Sequence, residues 1–220
     1  MLPSLKDYET KLLNSDLWHR STLSPRDRCL STMAVAIAVN TPTLLVQQIS
    51  LGIKHGITPT EINEIVTHLS FYCGWGKALE ASKVILPIYE QLKIDLASIQ
   101  PTPLLFAIDE EFECVRASAV EANVGSDLFP NLVNDTTQVL FHDLWLRSDL
   151  RPRDRSLITV VSLIANGQVE QISFHLGKAI DNGFTFEETA ELISHLAYYV
   201  GWPNVMSSIP IVKKIFNTQS

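Results

Sequence analysis

The feature that most constrains this chain is a copy of part of itself. Sliding the sequence by 127 positions, the separation of Arg28 and Arg155, lays Leu17-Trp18 on Leu144-Trp145 and Pro25-Arg26-Asp27-Arg28 on Pro152-Arg153-Asp154-Arg155. The same shift lays Ile37-Ala38 on Ile164-Ala165 and Gly56 on Gly183. Thr58, Glu61 and Glu64 fall on Thr185, Glu188 and Glu191, and His68-Leu69 on His195-Leu196. Tyr72 falls on Tyr199 and Gly74-Trp75 on Gly201-Trp202, with no gap needed anywhere. Two copies are too few for a solenoid, so the repeat predicts two similar units related by a pseudo-twofold.

Each unit is punctuated as helices. Ser24 is placed to cap a helix with Pro25 at its first position and Asp27 in its first turn. Thr41-Pro42 opens the next helix, and Gly56 closes it. Thr58-Pro59-Thr60-Glu61 reads as a capping box for a third helix running to about Gly74. A fourth runs from about Lys77 into the 90s, and a leading helix is expected over residues 4–19. No segment sustains strand alternation. The expectation is an all-α helical bundle made of a repeat over residues 1–96, a connector over 97–131 and a second repeat over 132–220. In the connector, Pro101 and Pro103 break the preceding helix, and Asp109, Glu110, Glu111 and Glu113 read as a solvated helix start.

Composition removes several classes of function. Hydrophobic residues are 46% of the chain, too many for a disordered one. A formal net charge of −7 argues against nucleic acid as partner. Cys29, Cys73 and Cys114 form no CxxC pair and suit a reducing compartment. The N-terminal residues carry scattered charges and no apolar block, and the apolar run from Met33 to Val39 is too short for a bilayer. The expectation is a cytoplasmic protein with no membrane partner.

The residues able to carry chemistry lie on the helices. Glu64, His68 and Tyr72 are spaced by four, as are Glu191, His195 and Tyr199, so each triplet forms a stripe on one helical face. A stripe present in both copies fits a requirement of the fold, with Glu or Tyr orienting the His. A direct role in proton transfer is the other reading. His175 differs, because its counterpart is Gln48. A glutamine can hold a ligand but cannot give and recover a proton near neutral pH. Gln171 lies one turn before His175. Arg153 and Arg155 could grip an organic carboxylate, or could bridge to Asp27, Asp154 or the glutamates of the third helix. Trp202 and Tyr199 sit together at a helix end and could line a pocket.

The run RDRSL, the later FHL…A…NG and the closing E..E….HLA.Y.GWP together resemble the carboxymuconolactone decarboxylase family, which shares the AhpD-like fold of the alkylhydroperoxidases. The resemblance covers residues 17–88 and 144–215, and VEANVGSDLFPNLV in the connector resembles tandem members. It implies a homo-oligomeric ring, with a duplicated chain forming a trimer as pseudo-hexamer. It implies a cofactor-free, metal-free lyase acting on a small-molecule organic acid or lactone, with the characteristic His-Leu pair at His175-Leu176. The peroxidase branch places CxxC just before that His, and the corresponding positions near Gln168 and Gln171 hold no Cys. The first copy departs at Gln48 and at Gly76, where the second has Pro203, and reads as a degenerate scaffold beside an active second half. On this reading His175 delivers a proton, His195 orients or shares it, and Glu191 sets the tautomer of His195. Arg155, Gln171, Tyr199 and Trp202 then bind the acid. A hydroperoxide reductase using one of the thiols and a non-catalytic ligand-binding scaffold are the alternatives.

Overall fold

The computed structural model describes residues 1–219. It is helical throughout both copies, and the extended pairing among the described residues is a single bridge between Leu105 and Arg147. In the first repeat α1 (Pro3–Tyr8) leads to α2 (Pro25–Ala38), α3 (Pro42–Lys54), α4 (Pro59–Cys73) and α5 (Trp75–Leu92). The connector contributes α6 (Glu110–Val124). The second repeat follows as α7 (Pro130–Asp135), α8 (Pro152–Ala165), α9 (Ile172–Asp181), α10 (Phe186–Val200) and α11 (Trp202–Gln219).

The caps are those the sequence calls for. Ser24 Oγ accepts from the Asp27 N–H at 3.0 Å, and Thr58–Glu61 and Thr185–Glu188 both close as capping boxes. The leading helix is the exception. It is α only to Tyr8, then widens into a π-type turn over Glu9–Asn14 and tightens at Leu17–His19. The second repeat does the same over Thr136–Phe141 and Leu144–Leu146. Apolar spacing cannot separate an α-turn from a π-turn, because both present one side to the core. Gly74 and Gly201 join consecutive helices at single positions with φ of +93° and +85°, a conformation that excludes a Cβ-bearing residue at little cost.

The centre of the molecule is the pair α2 and α8. From Asp27 to Ala38 and from Asp154 to Ala165 every residue is buried, as expected for helices surrounded on all sides. In each repeat the second helix packs beside the first. The third helix packs across the pseudo-twofold, α4 against α8 and α10 against α2. The core runs continuously from Leu23, Met33 and Ile65 to Leu157, Leu176 and Leu196. The connector is stitched to the second repeat by Phe106 N–H to the Leu146 carbonyl and Ser148 N–H to the Leu104 carbonyl, at 2.7 and 2.9 Å. The acidic start of α6 is only partly solvated. Glu113 accepts from Arg116 Nε at 2.7 Å and lies 2.8 Å from His142 Nε2, which ties the connector to the second repeat.

Candidate active site

Because α4 and α10 cross over, the charged residues of one repeat are completed by the other. Glu64 of α4 is fully buried and accepts from Arg147 Nε and Nη2 at 3.0 and 2.7 Å, and from Arg155 Nη2 at 3.1 Å. Arg155 Nη1 lies 3.4 Å from His68 Nδ1, and His68 Nε2 lies 2.7 Å from Thr159 Oγ1. Trp145 Nε1–H donates to the Tyr72 hydroxyl at 2.9 Å. The mirror cluster joins Arg28 to Glu191 at 2.8 Å and to His195 Nδ1 at 3.2 Å, His195 Nε2 to Thr32 at 2.8 Å, and Trp18 to Tyr199 at 2.8 Å. Between the two clusters Arg153 clasps Asp27 at 2.7 and 3.0 Å, while Arg26 meets Asp154 at 2.8 Å.

These bonds fix the tautomers. Thr159 and Thr32 each donate their single hydroxyl proton to a backbone carbonyl, at 2.9 and 2.7 Å. Their oxygens can then only accept, so His68 and His195 are Nε2–H tautomers whose Nδ1 accepts from an arginine. Burial, then the neighbouring Arg28 and Arg20, pulls His195 down to about 3, and burial, Arg155 and His175 hold His68 well below the ordinary imidazole range. Both rings are neutral at neutral pH with both nitrogens engaged. His195 is thereby part of the architecture, and its tautomer is set by Thr32 and Arg28. Glu191 binds Arg28, with Arg20 3.8 Å away.

His175 stands apart from this pattern. It stacks on Trp145 with centroids 5.4 Å apart and meets Tyr72 and Phe174 edge-on at 5.4 and 5.0 Å. It therefore belongs with His68 and Tyr72, and His195 lies in the other cluster. Its Nδ1 is buried and has no hydrogen-bond partner among the described residues. Burial alone lowers its pKa to about 4. Trp145 and Phe174, the rings in front of it, form the wall of a cavity of about 240 Å³. Phe141, Ser156, Lys178 and Asn182 complete the second-repeat side, and Phe106 and Phe112 of the connector cover it. Lys178 Nζ lies 3.8 Å from the centre of the Phe112 ring, and Phe112 stacks on Phe174.

The expected acid-binding residues are therefore redistributed. Arg155 is fully buried behind Glu64 and His68 and does not reach the cavity. Tyr199 lines the cavity of the first repeat. Gln171 is exposed at the start of α9. Trp202 is half exposed, edge-on to Tyr198 at 5.1 Å in a separate hollow with Leu5 and Tyr8. The cation that does line the His175 cavity, Lys178, lies three residues after His175, where the first repeat has Leu51. That asymmetry was present in the sequence beside the Gln48–His175 one. Two of the three thiols are poorly placed for peroxide chemistry, since burial pushes Cys29 up to about 12 and raises Cys73 as well, while Cys114 is exposed on the connector helix.

Paired helical repeats that complete each other's buried His–Arg–Glu clusters, with a buried histidine behind the wall of one cavity, define a duplicated all-α protein. The chain belongs to the carboxymuconolactone decarboxylase family, whose model matches residues 3–86 and 130–214. It is 29% identical over 91 residues to the 4-carboxymuconolactone decarboxylase of Acinetobacter baylyi, covering 41% of this chain and 68% of that protein. It is 30% identical over 81 residues to the nitrosuccinic acid decarboxylase of Metarhizium robertsii, covering 37% of this chain and 57% of that protein. Among the described residues no helix is long and apolar enough to cross a membrane.

Proposed function

We propose that this chain is a decarboxylase of a small organic acid or lactone acid, working at the cavity beside His175. The observation that carries the reading is the buried, unpartnered Nδ1 of His175, at the position where the other repeat has Gln48. Two relatives named as decarboxylases of small acids support the reaction class. The aromatic wall of Phe112, Phe141, Trp145 and Phe174 receives the organic body with the departing carboxylate, and Lys178 anchors an acid group of the substrate that does not leave. An apolar wall favours loss of CO₂, because the concentrated charge of a carboxylate is desolvated there while the product electron pair is spread over a conjugated group. The substrate's own carbonyl or nitro group is the electron sink, so protein groups suffice for the chemistry. The carbon–carboxylate bond breaks, its electron pair enters the conjugated system, and the reacting carbon takes a proton from His175, which requires the substrate to reach it past the Trp145 and Phe174 rings that wall the cavity. The imidazole recovers that proton from solvent, and the net reaction consumes one proton and releases one CO₂.

The pH dependence follows with a definite sign. In the free protein His175 is protonated only below about pH 4, so kcat/KM falls as pH rises from 5 to 8. A bound carboxylate favours the imidazolium, so the inflection in kcat lies higher. The test is CO₂ release from a panel of lactone acids and nitro acids. His175→Gln is expected to lower kcat by about 100-fold or more, and Lys178→Met to raise KM. Full turnover by His175→Gln, or no CO₂ from any acid of the panel, overturns the assignment. The reading includes self-assembly, supported by the exposed Trp75 and Leu79 on α5 and the matching Trp202 and Met206 on α11. Light scattering of the purified protein tests it.

A further inference from the structure

The first repeat, read from sequence as a degenerate scaffold, keeps a cavity with polar groups in it. It is the larger of the two, about 620 Å³, and no connector helix covers it. Trp18 forms one wall, held by its Nε1–H bond to the Tyr199 hydroxyl. The proton of that hydroxyl has no acceptor among the described residues. Gln48 lines the cavity while being only 5% exposed, and its Oε1 is buried without a partner among the described residues. A buried amide carbonyl left unpaired is costly, and helix α3 gains nothing local from it. At the pseudo-equivalent place in the second repeat stands His175, whose Nδ1 is also unpaired. The internal twofold has thus kept a buried unsatisfied polar atom at the same helical position of both repeats, neutral and lining the cavity at Gln48, titratable and set behind the Trp145 and Phe174 wall at His175.

The second cavity is lined by Asp109 and Glu113 of the connector as well as by Lys178, and the cation is what the first cavity lacks. Lys178 of the second cavity corresponds to Leu51 of the first, and Thr136 corresponds to Glu9, which lines the first cavity. A carboxylate that Lys178 would attract meets an apolar side chain and a glutamate instead. His19 and His55, both exposed, add hydrogen-bonding groups at the rim.

We propose that the cavity of the first repeat is a second binding site, which takes an uncharged planar heterocycle bearing a hydrogen-bond donor beside an acceptor and carries out no proton transfer. The ring lies on Trp18. Its donor pairs with Gln48 Oε1, and its acceptor takes the Gln48 amide N–H or the Tyr199 hydroxyl proton. Lactams and enolised lactones have this pattern. The assignment stands on the geometry of the first cavity and does not depend on what His175 does in the second.

Trp18 and Trp145 give each cavity its own indole N–H reporter, so ¹H–¹⁵N spectra of the full chain can be titrated with 2-pyridone and with 2-pyridone-5-carboxylate, one ring without and with a carboxylate. The Trp18 resonance, assigned through Trp18→Phe, is expected to shift saturably with 2-pyridone and to respond at least tenfold more weakly to the carboxylate. Gln48→Leu should weaken 2-pyridone at Trp18 at least tenfold. Leu51→Lys, which restores the cation of the other repeat, should bring the carboxylate into the first cavity, and it serves as the test should Gln48→Leu not fold. No saturable shift at Trp18, equal binding of both probes there, or a 2-pyridone affinity indifferent to Gln48→Leu overturns the proposal. So does a Leu51→Lys variant that still rejects the carboxylate.

Discussion

Glu64 holds two guanidinium groups in a place closed to solvent. Its side chain and that of Arg155 are essentially unexposed, and Arg147 is bound through both Nε and Nη2. Removing its charge strands two buried cations, so Glu64→Gln is expected to cost about 3–5 kcal/mol in urea unfolding. Glu191 is the same residue in the mirror cluster, but it is partly exposed, and its second arginine, Arg20, is shared with Asp16. Glu191→Gln should therefore cost measurably less, and equal losses would show that burial is not what sets the value. The histidines give the molecule an acid limit. His175 is lowered from 6.5 to about 4 and His195 to about 3, so the unfolded chain binds more protons than the folded one between these values and 6.5. Stability then rises with pH across that window and is lost as pH falls through it, by about 3 kcal/mol for His175 alone. Urea midpoints measured from pH 7 to pH 4 should fall, and His175→Gln should fall less steeply. A midpoint independent of pH would remove the buried neutral imidazoles from the account.

At the scale of helices, the sequence is legible wherever one residue acts on its own chain. Ser24, Thr58 and Thr185 cap where they are expected to, because a cap bonds within three residues of itself. Pro42 starts α3 cleanly, whereas its counterpart Val169 leaves a short 3-10 turn before α9, since Val does not preset φ. What the sequence could not decide was which partners complete the Glu–His–Tyr stripes. The two copies carry the same Arg, Thr and Trp, so pairing within a repeat and pairing across the twofold satisfy the same residues. Only packing, with α4 on α8 and α10 on α2, breaks that tie. The same degeneracy hid that His175 and His195 belong to different clusters. The connector was the least legible element, because the acidic start of α6 looks solvated while Glu113, Arg116 and Phe112 face the second repeat. Phe112 lies between Phe174 and the Lys178 ammonium. Phe112→Ala is expected to cost about 1–2 kcal/mol, below a fully buried phenylalanine, because the ring is only partly covered and much of the loss is the cation–π contact. It should also expose Trp145 to acrylamide quenching. Unchanged quenching would mean that α6 does not cover the cavity.

At the scale of the whole molecule, the pseudo-twofold carries a consequence that follows from the residues on either side of it. The crossing bonds of the charged and aromatic clusters each have their acceptor or donor duplicated within the second repeat itself, Asn166 being the exception, since it meets Cys73 and Lys77 where the second repeat has Val200 and Asn204. Arg155 finds Glu64 and His68, whose counterparts are Glu191 and His195. Arg147 finds Glu64, Trp145 finds Tyr72 and Thr159 finds His68, with counterparts Glu191, Tyr199 and His195. Arg153 finds Asp27, with counterpart Asp154. A surface whose charged clusters meet their own counterparts is isologous there, so two copies of it can close on a true twofold. A chain of residues 130–219 alone is therefore expected to fold as a homodimer. As a monomer it would leave Arg155, His195 and the apolar length of α8 without cover, and buried charges without partners do not persist. Light scattering and far-ultraviolet circular dichroism across a dilution series should show helix content and dimer lost together. In that chain Glu191→Arg sets arginine against arginine at the twofold and should abolish both. A helical monomer, or a dimer indifferent to Glu191→Arg, would mean that the repeats are held by something other than the crossed clusters.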